Sequence, residues 1–222
     1  MGTLYLVRHG QASFGAADYD QLSALGARQC HALGEYLSER GVQFEAVLRG
    51  SLRRHTQSLA ALAQGHGSLP EALELPALNE YDGEALVRAA HGAAAPPARM
   101  PEGQRQHFRL LRLGLSAWMR GEATPAGMPA YGAWAAGIGD ALDHVRQHHS
   151  GNVLIVSSGG PIATAVGQVL GTSAEATIDL NMHIRNSSIT EFAFTPRRHR
   201  LLSFNHLPHL DRAERRDWVT HS

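Results

Sequence analysis

Short apolar runs alternate along this chain with stretches whose apolar residues recur at helical spacing. Residues 4–7 (Leu-Tyr-Leu-Val) are nearly all apolar, as expected for a strand covered on both faces. Ser23 then stands as an N-cap ahead of Leu25, Ala32, Leu33, Tyr36 and Leu37, which recur with helical period, and Gly41 occupies a C′ position. Residues 44–48 read as a second strand, apolar except for Glu45, and a helix runs through 59–63 until Gly65-His66-Gly67-Ser68 breaks it. A short edge strand is predicted over 72–75. Phe108, Leu111, Leu115 and Trp118 mark one face of a further helix, and Trp134, Ile138, Leu142 and Val145 mark another. Residues 153–156 form the second strongly buried strand, followed by a helix through Leu170. A strand through Phe194, a turn over 195–198 and a strand over 201–204 predict a terminal hairpin. Residues 210–222 are charged and read as a loose tail.

The chain has 222 residues, enough for one large α/β domain or two small ones. Twenty Lys and Arg balance twenty Asp and Glu, so no global charge points to nucleic acid or to a membrane surface. Any anion recognition must therefore be local. The one cysteine, Cys30, rules out an internal disulfide framework and suits a reducing compartment. The first strand begins too early to leave room for a secretory leader, and no apolar run reaches the length of a membrane span. A soluble, cytoplasmic protein is expected.

The chemistry concentrates at the ends of the strands. The first strand runs into Arg8-His9-Gly10: a guanidinium that grips anionic oxygens in bidentate fashion, an imidazole that can act as a nucleophile, and a glycine that lets backbone approach a ligand. The second runs into a helix start carrying Arg53, Arg54 and His55. There an arginine can join backbone N–H groups and the positive dipole end around an anion, or all three can form a solvated basic face. The strand at 153–156 is followed by Ser157-Ser158-Gly159-Gly160-Pro161, with Pro161 suited to the first helical position and two glycines whose amides can converge on a phosphate. His144 and His148 have metal-ligand spacing, but no third ligand accompanies them. Like His149 they suit the negative end of a helix dipole, and His206 and His209 are read as structural too.

Leu6-Val7-Arg8-His9-Gly10 resembles the signature of the histidine phosphatase superfamily, the phosphoglycerate-mutase-like enzymes. Leu22-Ser23-Ala24-Leu25-Gly26 with Arg28-Gln29 resembles the family's first helix. Leu52, Arg54, Gln57 and Ser58 fall on the positions of its second motif, and Leu78-Asn79-Glu80-Tyr81-Asp82-Gly83-Glu84 resembles the segment that holds its acid. Asn186-Ser187-Ser188-Ile189-Thr190 resembles its late strand. The resemblance implies one domain over 1–222: a three-layer α/β/α sandwich with a mainly parallel central sheet and a helical cap insertion at about 85–130. It implies catalysis by His9 and Glu80, with Asp82 and Glu84 as competing acids of lower standing, and phosphate binding by Arg8, Arg54, Ser158 and Gly159, with Arg53 facing solvent. It implies no metal and no cofactor. The cap's Arg105, Arg109 and Arg112 either contact an acidic substrate or form the wet face of an amphipathic helix, and the latter is the favoured reading.

One departure stands out. Where the family carries its second catalytic histidine this chain has Ser158, which offers a neutral hydroxyl in place of an imidazolium. The implied function is a metal-independent, acid-type phosphomonoesterase working through a phosphohistidine on His9, weakened by Ser158. The alternatives are a phospho-ligand-binding domain and a phosphoglycerate mutase. Its partner is a phosphorylated small molecule or phosphoprotein, not nucleic acid or membrane, and a homodimer is compatible with it. If the pocket is otherwise standard, Ser158→His adds an imidazolium beside the phosphoryl group. If another side chain has moved into that volume, the new ring clashes.

Overall fold

A computed structural model describes residues 1–13, 20–91 and 101–221. The loop expected over 14–21 and the Ala/Pro/Gly-rich stretch of 93–97 therefore fall wholly or mainly outside the described residues. Six strands form one sheet: β1 (Gly2–Arg8), β2 (Ala46–Arg49), β3 (Ala72–Glu74), β4 (Asn152–Ser157), β5 (Ile189–Thr195) and β6 (Arg198–His206). Their order is β3-β2-β4-β1-β5-β6. β1, β2, β3 and β4 run parallel, while β5 is antiparallel to both β1 and β6.

Side-chain alternation along the central strands divides the core into two layers. Val7, Val47, Leu154 and Val156 face α1 (Ala24–Glu39) and α2 (Arg53–His66), where they meet Cys30, Leu33, Leu37 and Leu62. Leu4, Leu6, Leu48, Val153 and Ile155 face the opposite way, onto Ile138, Leu142 and Val145 of α5 (Tyr131–His148) and Ile162 and Val166 of α6 (Gly159–Leu170). Burial on both faces explains why β1 and β4 lack the polar alternation of a half-wet strand. The result is the expected α/β/α sandwich.

Local signals set the helix ends. Ser23 Oγ accepts the Gly26 N–H at 3.0 Å, and Gly41 follows the C-cap of α1 at φ +65°. Other bounds differ from the sequence expectation. β2 begins at Ala46, and the Glu45 carboxylate just before it accepts the N–H groups of Ser150 and Gly151, at 3.2 and 2.6 Å. Pro161 is the third rather than the first residue of α6, which costs nothing because first-turn N–H groups lack intrahelical partners.

Between β3 and α5 lie α3 (Gly83–His91) and α4 (Pro101–Met119), which with α7 (Ala174–His183) share a separate small core of Leu86, Val87, Leu110, Leu111, Leu115, Trp118 and Ile178. Phe108 is exposed and does not belong to it. The apolar face turns instead through Leu110 and Leu111. Nor is the tail loose. Short 3₁₀ turns at Pro208–Leu210 and Ala213–Trp218 lead it back across α1, where Gln29 Nε2 donates to the Thr220 hydroxyl at 3.0 Å and Arg28 lies 5.0 Å over the Trp218 ring. Among the described residues no helix is long and apolar enough to cross a membrane.

Candidate active site

Because β1, β2 and β4 are parallel, their carboxyl ends open onto one edge of the sheet. Arg8 is in register with Ser157, and Arg49 with Val156. The residues just beyond, His9, Gly50 and Ser158, therefore converge, as ligand sites of open α/β sheets require. The turn at His9 is held from several sides. His9 N–H donates to the Ser157 carbonyl at 2.9 Å, Ser187 N–H donates to the His9 carbonyl at 3.1 Å, and Gly10 N–H donates to Ser58 Oγ at 3.1 Å.

His9 is buried, and its ring state follows from its two contacts. Nδ1 lies 2.7 Å from the Gly10 carbonyl, which can only accept, so this nitrogen carries the proton. Arg54 Nε donates to His9 Nε2 at 3.2 Å, which requires that nitrogen to present its lone pair. Burial, then the charges of Arg8 and Arg54 and the nearby His55, hold the His9 pKa well below the usual range. The ring is therefore held as a neutral imidazole whose Nε2 lone pair accepts from Arg54 in a cationic pocket.

The arginines are placed by different means. Arg8 ends β1 and donates through NH1 to the Ile184 carbonyl. Arg54 is 7% exposed, while Arg53 beside it faces solvent. Asp20 organises this helix start: Oδ1 pairs with Arg54 NH1 at 2.8 Å, and Oδ2 accepts the Arg53 N–H at 2.8 Å. Asn79 Oδ1 accepts the Ser51 N–H at 2.8 Å and Nδ2 donates to Ser51 Oγ at 2.7 Å, so the loop before α2 is tied to the segment that carries Glu80.

Glu80 faces α6. Its two oxygens accept the Gly160 N–H at 3.2 and 3.1 Å. A Cβ at position 160 would lie 2.2 Å from Glu80 Oε1 and 2.5 Å from the Tyr81 ring, so a side chain there would displace one of them. One of the two amides expected to meet a phosphate is thus used by the acid. Although Glu80 as a residue keeps some solvent contact, desolvation of its carboxyl outweighs the Gly160 hydrogen bond and the charges of Arg54 and Arg8, and raises its pKa. The two arginines by themselves would lower it, but burial wins here. Asp82 Oδ1 instead accepts the Ala85 N–H at 2.9 Å, and Glu84 is an exposed partner of Arg88.

Ser158 is fully buried as the N-cap of α6, with the Gly159 N–H directly after it at the helix start. The volume beside it is filled. His55 Nε2 lies 2.7 Å from Ser158 Oγ, and its ring centroid is 5.8 Å from that of His9. His55 is buried, so the solvated basic face considered for residues 53–55 is confined to Arg53. His55 and Asp20 were not legible as site residues: helix geometry spreads neighbouring side chains about 100° apart, and Asp20 follows a long polar loop. The cap arginines do not reach this pocket as a group. Arg109 is exposed, Arg112 pairs with Asp179 at 2.6 Å, and the Arg105 side chain lies outside the described residues. His144 and His148 stack at 4.4 Å near the far end of α5, and among the described residues no group of three ligands could hold a metal.

Comparison with known proteins bears on this edge. The sequence model described as "Histidine phosphatase superfamily (branch 1)" matches residues 4–207. No curated protein matches the chain. Among solved structures it is similar to a Bacillus stearothermophilus protein, YhfR, at 18% identity and TM-score 0.70, covering 94% of this chain and 99% of that one. It is also similar to an Entamoeba histolytica phosphoserine phosphatase in complex with phosphoserine, at 17% identity and TM-score 0.66, covering 95% and 100%. A Bacillus anthracis phosphoglycerate mutase matches at 16% and 0.66, covering 94% of each chain. At these identities the structural likeness speaks to the fold.

Proposed function

The chain belongs to the histidine phosphatase superfamily, and from that premise we propose that it is a phosphomonoesterase working through a phosphohistidine on His9. The observation that carries this reading is the ring state of His9: Nδ1 is tied to the Gly10 carbonyl, and Nε2, the lone-pair nitrogen, faces Arg54. A phosphate monoester bound between Arg8 and Arg54 places its phosphorus in front of Nε2. As the N–P bond forms, the ester P–O bond breaks, and the two guanidinium groups stabilise charge on the phosphoryl oxygens. Glu80, whose pKa burial raises, gives its proton to the departing alkoxide. Its carboxylate then takes a proton from water as that water displaces phosphate from His9. The arginines supply the positive charge, so the scheme runs without a metal.

The raised Glu80 pKa gives the scheme an alkaline limb: turnover should fall as pH rises through that pKa, because the proton donor is lost. The test uses p-nitrophenyl phosphate with and without EDTA, and a quench in alkali, where phosphohistidine survives. We expect EDTA-insensitive turnover and label on His9, both absent from His9→Ala. Undiminished turnover in that variant would overturn the mechanism. Wild-type protein that binds phosphate tightly but neither turns over nor becomes labelled would instead favour the phospho-ligand-binding reading.

A further inference from the structure

Near His9 the site holds a second imidazole, which the chemistry above leaves unused. His55 enters from the first turn of α2, directly after Arg54, and is wholly buried. Its space is specific. Nδ1 lies against the Gly50 backbone, where a Cβ at position 50 would come within 2.3 Å of it, and Nε2 meets Ser158 Oγ at 2.7 Å. Ser158 in turn precedes Gly159 at the N-terminal end of α6, beside the Gly160 amide that holds Glu80. The ring thus connects the helix that carries Arg54 to the helix start facing the acid. An apolar side chain at this spot would give the Ser158 hydroxyl no such contact. A buried imidazole aimed at a serine hydroxyl can instead change its charge when an anion arrives.

We propose that His55 is the second imidazole of the site, a positioning residue that takes up a proton when a phosphoryl group binds and, through the Ser158 hydroxyl, directs a hydrogen bond onto that group. This rests on the phosphatase reading of the same pocket. The proton comes from solvent to His55 Nε2. Protonated Nε2 then donates to Ser158 Oγ, which turns its own hydrogen toward a phosphoryl oxygen. No bond to phosphorus forms or breaks in this step. Around His55 stand the His9 ring, with centroids 5.8 Å apart, Arg49 from β2 and Arg54 from α2 itself, and these set its sign. Burial, then Arg54 and Arg49, push its pKa down to about 3. A bound dianion offsets the cationic field and favours the charged ring.

The test relocates the imidazole. In turnover of p-nitrophenyl phosphate, His55→Ala should lower kcat about a hundredfold, the usual scale for one charged or oriented donor, with KM little changed. His55→Gln can still bond to Ser158 but cannot gain charge, so it should stay slow and lose the His55-dependent part of the pH profile. Ser158→His alone should be slower than wild type, because two rings compete for one volume. The double variant His55→Ala/Ser158→His should be at least tenfold faster than His55→Ala. Wild-type kcat and pH profile in both His55 variants, or a double variant no faster than His55→Ala, would overturn the proposal. If wild type forms no phosphohistidine, the phosphatase reading fails by itself, and orthovanadate binding decides about His55. Calorimetry in two buffers of different ionisation heat should then show proton uptake on vanadate binding by wild type and less by His55→Gln. Equal uptake would overturn the proposal. Unfolding midpoints of each variant separate these effects from loss of fold.

Discussion

The sheet edge and the α3–α4 layer bury their residues for opposite reasons. At the edge, Arg8, His9, Arg54, His55, Ser157 and Ser158 are all below 9% exposed. Most of their polar groups are held by a backbone carbonyl, an amide or another site residue, whereas His55 Nδ1 is buried without a hydrogen-bond partner among the described residues. In the α3–α4 layer the buried residues are apolar, around a fully enclosed Trp118 and the rings of Tyr81, Tyr131 and Trp134. Its charges lie outside in exposed pairs such as Arg112–Asp179 and Arg120–Glu122. Electrostatic preorganisation at the edge therefore comes at the expense of charge burial, which only a firmly packed sheet can offset. The helical layer carries no such cost. Glu80 and Tyr81 join the two regions: the acid faces the edge, while the Tyr81 hydroxyl accepts from Asn181 Nδ2 at 2.6 Å on α7.

The largest effect expected is on stability, in the helical layer. Trp118→Ala removes a buried ring whose Nε1 donates to the Pro129 carbonyl at 2.9 Å, and should destabilise by about 3–5 kcal/mol in chemical denaturation. Where the variant is still folded, His9 should still become phosphorylated. Loss of labelling in folded protein would show that the two regions are not separable. Next comes Arg54→Ala, which should weaken vanadate binding and kcat/KM by about 10²–10³-fold, against little change for Arg53→Ala. Equal losses would mean that the exposed and buried arginines share the work.

Gly160→Ala probes the junction. Its Cβ would displace Glu80 or Tyr81, so kcat should drop on the order of a hundredfold, the scale of general acid catalysis, while the fold persists. A normal rate would detach Glu80 from the chemistry. Acid should then open the sheet-edge side first. His55 is pushed down to about 3, as is His209, whose Nε2 contacts Ser187 Oγ behind the site. Because these folded-state values lie below the unfolded one, stability is full above about pH 6.5 and lost as pH falls toward 3. Each histidine should cost about 1.4 kcal/mol by pH 5.5, and Glu80, raised rather than lowered, acts in the opposite sense. The unfolding midpoint followed from pH 7 to 5.5 checks this, and His55→Gln should flatten the curve. The smallest effect belongs to Arg112→Ala, a surface pair whose loss should change stability by less than about 0.5 kcal/mol.

By itself the sequence determined the elements whose signals are local. Continuous apolar runs marked β1 and β4 because both are covered on two faces, and Ser23 and Gly41 bounded α1 because caps are chemistry within a few residues. It also placed Arg8 and His9 at a strand end and Arg54 at a helix start, while Glu80 came only from the resemblance of its segment to the family's acid. Tertiary structure decided what those groups are. Only the register of β1 on β4 brings His9 beside Ser157, and only the dock of α2 on the sheet turns His55 inward while Arg53 stays wet. The protonation states belong to the same class. The His9 pKa is lowered by desolvation together with the neighbouring charges, and that of Glu80 is raised because desolvation, a property of the assembled pocket, outweighs the arginines. The tail looked loose because its charges dominate its composition. Its anchors, Gln29, Asn186 and the rings and cations around Trp218, are distant in sequence and become neighbours only once the sheet has closed the chain upon itself.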